Sequence, residues 1–342
     1  MSNRLRPFLF RLVIPVIVIA YGLFTLGILV LREWVGEALT PLGMGYSRLD
    51  WFLFPSLILF PLLLPWRPRL ALLVAPLVAA WSIHYLPLLL PKSIASLSAG
   101  QDVTVMTYNM HVERVILDPM LAVLRAADAD IVALQELSIE AGAAIEADLA
   151  MRYPYRAIHT LEWAYHGRGL LSKYPILEDR AWPDVQPITM RLQRSVLDVD
   201  GQRVVVYNFH SAPQIPIFGQ PPDIGPRNQQ HAELLTMMRA EIDPVLMLCD
   251  CNITDQNIAY RDLTADFDDA FRQAGQGLGL TNPDTVYPQA QEGLWLPLYQ
   301  RIDFIFYSRF AFTAIESRVW PDSGGSDHRP VWARLRLHAG DS

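Results

Sequence analysis

Acidic, amide and imidazole side chains recur in this 342-residue chain directly after short apolar runs. Asn109 follows TVMTY, Glu136 follows IVALQ and His210 follows VVVYNF. Asp250 and Asn252 follow VLMLC, Asp303 lies inside RIDFIFYS, and Asp327 and His328 stand in GGSDHRPVW. One such residue is commonly a cap or a turn former. Six strand ends carrying them point to a shared site, because ligand and catalytic groups of α/β folds gather where strands end and loops begin. Carboxylate and amide oxygens suit a hard divalent cation, Mg2+ or Mn2+, rather than zinc. An imidazole beside a carboxylate is held toward its charged form, able to bind an anion or exchange a proton.

The elements that must position these groups are legible as interleaved apolar runs and amphipathic stretches. Strands are expected at 103–108, 131–135, 169–172, 203–209, 244–249, 302–307 and 331–337. Helices are expected at 119–127, 139–152 and 228–240. Short buried strands alternating with helices give an α/β domain. No internal repeat or low-complexity tract is visible.

The first ninety residues have a different texture. Residues 12–31 are an uninterrupted apolar run, long enough to cross a bilayer as a helix. A second run covers 49–64 and a third 70–90. The second is short and compatible with a re-entrant or tilted segment. A cleaved signal peptide would account for the first run but not the others. The expectation is a transmembrane region over 1–91 with about three helices, a linker over 92–101 and a catalytic domain over 102–340. Arg4, Arg6 and Arg11 precede the first run, and Arg67 and Arg69 separate the second from the third. By the positive-inside bias both sites are cytoplasmic, so three spans would deliver the catalytic domain to the other face of a plasma or inner membrane.

Seven of the 28 basic and three of the 35 acidic residues lie before position 92, leaving 21 against 32 and a net charge of −11 for the rest. Tight non-specific duplex binding rests on many Lys and Arg contacts to phosphate, so this balance argues against it. Cys249 and Cys251 are one residue apart. In an extended strand that spacing is wrong for a disulfide, and the expectation is a pair of small apolar strand residues.

The ordered set YNMH, DIVALQE, GRGLLSKYPI, YNFHSAP, DCN, RIDFIF and SDHRPV resembles the endonuclease/exonuclease/phosphatase superfamily. That group takes in DNase-I-like nucleases, abasic-site endonucleases, neutral sphingomyelinases and inositol polyphosphate 5-phosphatases. The likeness extends over residues 103–337. It implies a four-layer α/β/β/α sandwich of two mixed sheets with the site at one edge. It also implies Glu136, Asn109 and Asp327 as metal ligands. His328 would bind the scissile phosphate or exchange protons, oriented by Asp303. Asp250 would position or deprotonate the attacking water, and Asn252 and His210 would donate to phosphate oxygens. Where the family has Gly-Asp-Phe-Asn this chain has Cys249-Asp250-Cys251-Asn252, which keeps both polar residues and changes the packing beneath them. The family's middle Tyr and Asn do not align with confidence to the region of Tyr165 and Arg168.

Other polar residues carry less weight. Arg227 and Gln230 are expected at the surface or in a structural role, His159, His166 and His231 as surface or satisfied histidines. For His111 a turn role and a site role are both open. The proline-rich loop with Ile215, Ile217 and Phe218 is either ordinary or an apolar lip, as is the segment around Trp295. The expected function is hydrolysis of a phosphate ester at a membrane face, the substrate being a phospholipid or sphingolipid-like headgroup, nucleic acid or a soluble ester. A non-catalytic binding module of the same fold is the rival. Its partners are the membrane and the substrate, and no protein partner is legible.

Overall fold

The computed structural model describes residues 9–92, 99–111, 116–160, 167–182, 191–213, 222–282 and 300–339. Arg4, Arg6, Tyr165, His166, the loop with Ile215, Ile217 and Phe218, and the segment around Trp295 lie outside the described residues. The chain divides into two compact units, Met1–Leu90 with Gln256–Ile258, and Pro91–Asp255 with Ala259–Ser342.

The first unit contains helices α1 (Ile14–Val35), α2 (Thr40–Tyr46), α3 (Leu49–Leu63) and α4 (Pro68–Leu89). Two helical stretches, Arg11–Val35 and Pro68–Leu89, are long and apolar enough to cross a membrane, while Leu49–Leu63 is shorter. Their packing is sparse, and large apolar side chains such as Trp34 (86% exposed) and Leu72 (72%) point outward. A helix apolar on its outer face as well as its inner one has the composition of a membrane span or of a buried core helix. Gly22 lets α1 approach α4 closely, since a Cβ there would lie 3.1 Å from Leu73 Cγ.

In the second unit the chain order is β1 (Gly100–Asn109), α5 (Leu117–Ala127), β2 (Ile131–Gln135), α6 (Ile139–Asp148), β3 (Tyr155–His159), β4 (Arg168–Ser172) and β5 (Ile176–Ala181). Then come β6 (Arg191–Val199), β7 (Gln202–His210), α7 (Gly225–Arg239), β8 (Val245–Asp250), α8 (Ile258–Asp266), β9 (Phe267–Asp269) and α9 (Ala270–Ala274). Strands β10 (Asp303–Ser308), β11 (Phe312–Val319) and β12 (Val331–His338) follow. One six-stranded sheet has the order β11-β12-β1-β2-β4-β3 and the other β5-β6-β7-β8-β10-β9. The pairs β1–β2 and β7–β8 are parallel, with α5 and α7 as crossovers, and the other pairs are antiparallel. Both sheets are therefore mixed.

Period-two alternation explains why the central strands read as unbroken apolar runs. Val103 and Val105 of β1 and Ile131 and Ala133 of β2 meet Val204, Val206, Leu246, Leu248 and Ile305 between the sheets. The intervening residues Met106, Tyr108, Val132 and Leu134 face α5 and α6. On the other side Val205, Tyr207, Met247, Phe304 and Phe306 pack under α7 and α8. Each sheet is buried on both faces, which gives the four-layer α/β/β/α sandwich. The helix expected over 139–152 ends at Asp148, and strands β3, β5, β6, β9 and β11 were not anticipated.

Candidate active site

The rim where the two sheets meet is built by register. In one sheet Arg191, His210, Asp250 and Asp303 are successive partners across β6, β7, β8 and β10, so four polar side chains form a single row. In the other, Asn109 pairs with Gln135, and Gln135 with Arg168. The rows are joined by Asn109, whose Nδ2 donates to Asp250 Oδ2 at 2.8 Å and to Glu136 Oε1 at 3.2 Å. Glu136, His111 and Asn252 each follow a strand end with a positive φ (51°, 50° and 47°). Non-glycine residues rarely adopt this left-handed geometry, and it concentrates at functional sites.

The connection between β11 and β12 brings in Asp327 and His328. Ser326 Oγ donates to Asn109 O at 2.8 Å and accepts from His328 N at 3.0 Å, which fixes this turn on β1. His328 Nδ1 lies 2.9 Å from Asp303 Oδ2, and its Nε2 lies 3.8 Å from Asp250 Oδ2 and 4.0 Å from Asp327 Oδ1. Burial works against the charged ring, but the carboxylates of Asp303, Asp250 and Asp327 outweigh it and hold the His328 pKa well above its usual value. His111, at 2.5 Å from Asp327 Oδ1, follows the same balance and is also raised. Burial drives Asp250 the other way, up to about 7, with Asp303 and Glu136 adding to the rise and His328 and Asn109 opposing it. Glu136 is raised by burial and by the Asp327 charge facing it.

The structure thus gathers all eight residues expected from the sequence at one rim, though not all in the expected posture. Asn109 presents its amide donors to the acids, and its Oδ1 accepts from His111 N at 3.0 Å. Asn252 Nδ2 donates to Ser211 O at 3.0 Å. His210 Nε2 stands 3.7 Å from Glu136 and 3.6 Å from Asp250, with the Arg191 guanidinium against its ring. His111 belongs to the site. Arg191 was missed, because only the β6–β7 register places it beside His210.

One sequence expectation needs correction. Cys249 and Cys251 form a disulfide with a Cα separation of 5.1 Å. Two residues of extended strand would span roughly 6.6 Å. Strand β8 stops at Asp250, the chain turns through Asn252, and the shortened span falls within disulfide reach. Of the alternatives open for Arg227, Gln230 and His231, the structure has the structural one: all three are buried beneath this turn. Arg227 Nη1 donates to Asn252 O at 3.2 Å and His231 Nε2 to Cys251 O at 2.8 Å. Gln230 Oε1 accepts from Ala212 N at 2.7 Å. Spaced at i, i+3 and i+4, they form one face of α7.

Glu136 and Asp327 carry like charges toward one another at the rim, with side chains 14% and 20% exposed. Two facing acids offering only oxygen donors fit a hard divalent cation. Ligand atoms of Asp250, Asp303 and His328 also lie within 4.8 Å of one another. The His328 ring, held toward its charged form, offsets part of the negative charge of those two carboxylates.

Comparison with known proteins agrees with this geometry. Among solved structures, an endonuclease/exonuclease/phosphatase from Bacteroides vulgatus covers 70% of this chain and 100% of its own, at 17% identity and a TM-score of 0.54. TDP2 of D. rerio, solved with a single-stranded DNA product, covers 69% and 100% at 19% identity and a TM-score of 0.56. TDP2 of C. elegans covers 81% and 83% at 17% identity and a TM-score of 0.57. At these identities the likeness is one of fold. No curated protein matches the chain. The Endonuclease/Exonuclease/phosphatase family model matches residues 106–328, which holds every site residue named above. The chain belongs to the endonuclease/exonuclease/phosphatase family.

Proposed function

We propose that this protein is a divalent-metal-dependent phosphodiesterase, held in a membrane by its N-terminal helices, with the catalytic domain on the extracytoplasmic face. The observation that carries the catalytic part is the opposition of Asp250 to the Asp303–His328 pair across one rim, beside Glu136 and Asp327. Glu136 and Asp327 would hold Mg2+ or Mn2+. A cation there supplies Lewis-acid stabilisation and offsets the repulsion between an anionic phosphate and these carboxylates. Asp250, poised near neutrality, takes the proton of the attacking water, a contribution of about 10²–10⁴ in rate for a positioned base. Asp303 accepts from His328 Nδ1–H and so directs Nε2–H at a phosphoryl oxygen, where it stabilises growing negative charge. Asn109 binds Asp250 and Glu136 together and fixes their spacing. Arg191 adds a guanidinium to the rim, set against the His210 ring.

A phospholipid or sphingolipid-like headgroup is the favoured substrate. It agrees with the acidic catalytic domain, net −11 after position 91, and with the apolar N-terminal unit. The disulfide supports an extracytoplasmic setting, since such bonds persist in oxidising compartments. A membrane-tethered nuclease is the second reading, favoured by the family's chemistry and by the DNA product held by the D. rerio neighbour. A non-catalytic module is disfavoured, because the acids and the histidine that such a module would be free to lose are all present.

The test is metal-dependent hydrolysis by the purified full chain, with phospholipids in mixed micelles set against single- and double-stranded DNA. The expected result is headgroup release that is absent in Asp250→Asn. DNA cleavage instead would establish the nuclease, and metal-independent turnover unaffected by Asp250→Asn would remove the assigned site.

A further inference from the structure

The two cysteines of the chain stand on either side of Asp250, the proposed base, and are joined to each other. Their side chains go to one face of β8 and that of Asp250 to the other, as period-two alternation requires. Cys249 and Cys251 are fully buried in the layer under α7, together with Phe209, Ile253 and Phe304. Asp250 points the opposite way, toward the other sheet, where Asn109 Nδ2 donates to its Oδ2 at 2.8 Å. Its Oδ1 accepts from Asn252 N at 3.1 Å, so the carboxylate is held by the same turn that the bridge closes.

Two rigid peptide planes link the Cα atoms of Cys249 and Cys251 through that of Asp250, and each plane fixes its own Cα–Cα step at about 3.8 Å. The separation of the outer two is therefore set by the φ and ψ of Asp250. At 5.1 Å it is well short of the roughly 6.6 Å of an extended strand. Nothing in β8 itself calls for that bend, since Val245 to Asp250 are paired with β7 on one side and Leu246 to Asp250 with β10 on the other. We infer that the Cys249–Cys251 disulfide is a positioning device for Asp250, locking the backbone of the proposed base and making catalysis conditional on oxidation of the chain. Two thiols cannot lie as close as two bonded sulfurs, and in a close-packed, fully covered site the backbone is what gives way. A misplacement of about 1 Å in a catalytic group can cost about 10²-fold in rate. Such a bridge persists in oxidising compartments and not in the cytoplasm, so the enzyme becomes fully active only where the bond is kept. The inference rests on the proposed function for what Asp250 does, and on the bridge and its turn for the geometry.

The experiment uses the full chain in detergent micelles, with Mn2+ and bis(p-nitrophenyl) phosphate as probe. Two bridge-free forms are set against the oxidised wild type: the Cys249→Ala/Cys251→Ala variant, and wild type reduced by a water-soluble phosphine in moderate urea and then desalted. In that reduction the S–S bond breaks and phosphorus gives up an electron pair, becoming a phosphine oxide with oxygen from water. The two protons of that water end on the two sulfurs. Both forms should lose about tenfold in kcat with KM held within about twofold. Glutathione disulfide, taking two electrons and two protons from the thiols, should restore the reduced wild type and leave the alanine variant unchanged. Amide hydrogen exchange should rise over residues 249–254 and stay unchanged over β1 and β12, which separates a loosened turn from unfolding. A folded bridge-free form with kcat within about twofold of the oxidised wild type would overturn the inference, as would purified wild type carrying two free thiols. Exchange raised over β1 and β12 in both bridge-free forms would make the bridge a staple of the whole fold and overturn positioning, leaving the proposed function standing. Oxidised wild type inert toward this probe, lipid and DNA alike would overturn the proposed function and the positioning role with it.

Discussion

His231 lies at the foundation of the site, fully covered, with Nε2 donating to Cys251 O. Burial, with the Arg227 charge beside it, lowers its pKa to about 3, against which the hydrogen bond to Cys251 does little. In the unfolded chain the same ring takes a proton near pH 6.5. Between those values the unfolded state binds a proton that the folded state refuses, so stability falls as pH falls. The contribution is complete above about pH 6.5 and is lost at about 1.4 kcal/mol per pH unit below it. Pulse proteolysis in urea should show this slope for the wild type between about pH 7 and about pH 5, and a shallower one for His231→Gln, which keeps a donor and loses the titration. Equal slopes would mean that the ring is already charged in the folded protein. At this scale the six acid and imidazole positions plus Asn109 and Asn252 were recognisable because each stands in or beside a short apolar run. Arg191 and the Cys249–Cys251 bridge were not, because one depends on pairing register and the other on where a strand stops.

A buried amide network joins the two sheets behind the rim. Asn208 Nδ2 donates to Leu134 O at 2.9 Å, Gly169 O at 3.1 Å and Gln193 Oε1 at 3.2 Å, while its Oδ1 accepts from Gln135 Nε2 at 2.9 Å. Thr107 and Gln135 exchange a further contact across β1 and β2, with Gln135 Nε2 donating at 3.0 Å. Every partner of Asn208 is shut off from water, so Asn208→Leu should strand several polar groups at about 1–3 kcal/mol each. The expected loss is about 3 kcal/mol of stability in denaturant unfolding, with the Asn109–Asp250 bridge loosened and kcat lowered. Stability within about 0.5 kcal/mol of wild type would show that water replaces the network. Asn208 looked like a strand residue among Val and Tyr, and its importance is set by what the facing sheet offers. The central strands were legible because burial on both faces makes them continuous apolar runs. Strands β3 and β5 lie at sheet edges and carry charged side chains in YRAIH and ILEDRA, and β6 interrupts its apolar residues with Arg and Gln. Their identity as strands comes from the neighbours that pair with them, not from periodicity of their own.

At the scale of the whole molecule, topology follows from a parity argument. On the proposed topology α1 crosses once, and helices α3 and α4 form a further excursion into the membrane, a hairpin with Arg67 and Arg69 at its tip. Helix α3 has 15 residues. At 1.5 Å per residue it is about 22 Å long, short of a bilayer core of about 30 Å. Its tip then needs local thinning or the long arginine side chains reaching to the interface, both of modest cost. The proposed topology puts the N-terminus and the catalytic domain on opposite faces, with the arginines before α1 on the cytoplasmic one. Cysteines introduced as Ser2→Cys, Leu39→Cys and Ser342→Cys, in a chain whose own cysteines are bridged, make this measurable with a membrane-impermeant maleimide. Leu39 is 56% exposed and can react. In intact expressing cells Leu39→Cys and Ser342→Cys should label together, and Ser2→Cys only after lysis. Opposite labelling of positions 39 and 342 would break the hairpin and with it the proposed topology. Labelling of position 2 alone would invert the protein and place the disulfide in a reducing compartment, where it would not persist.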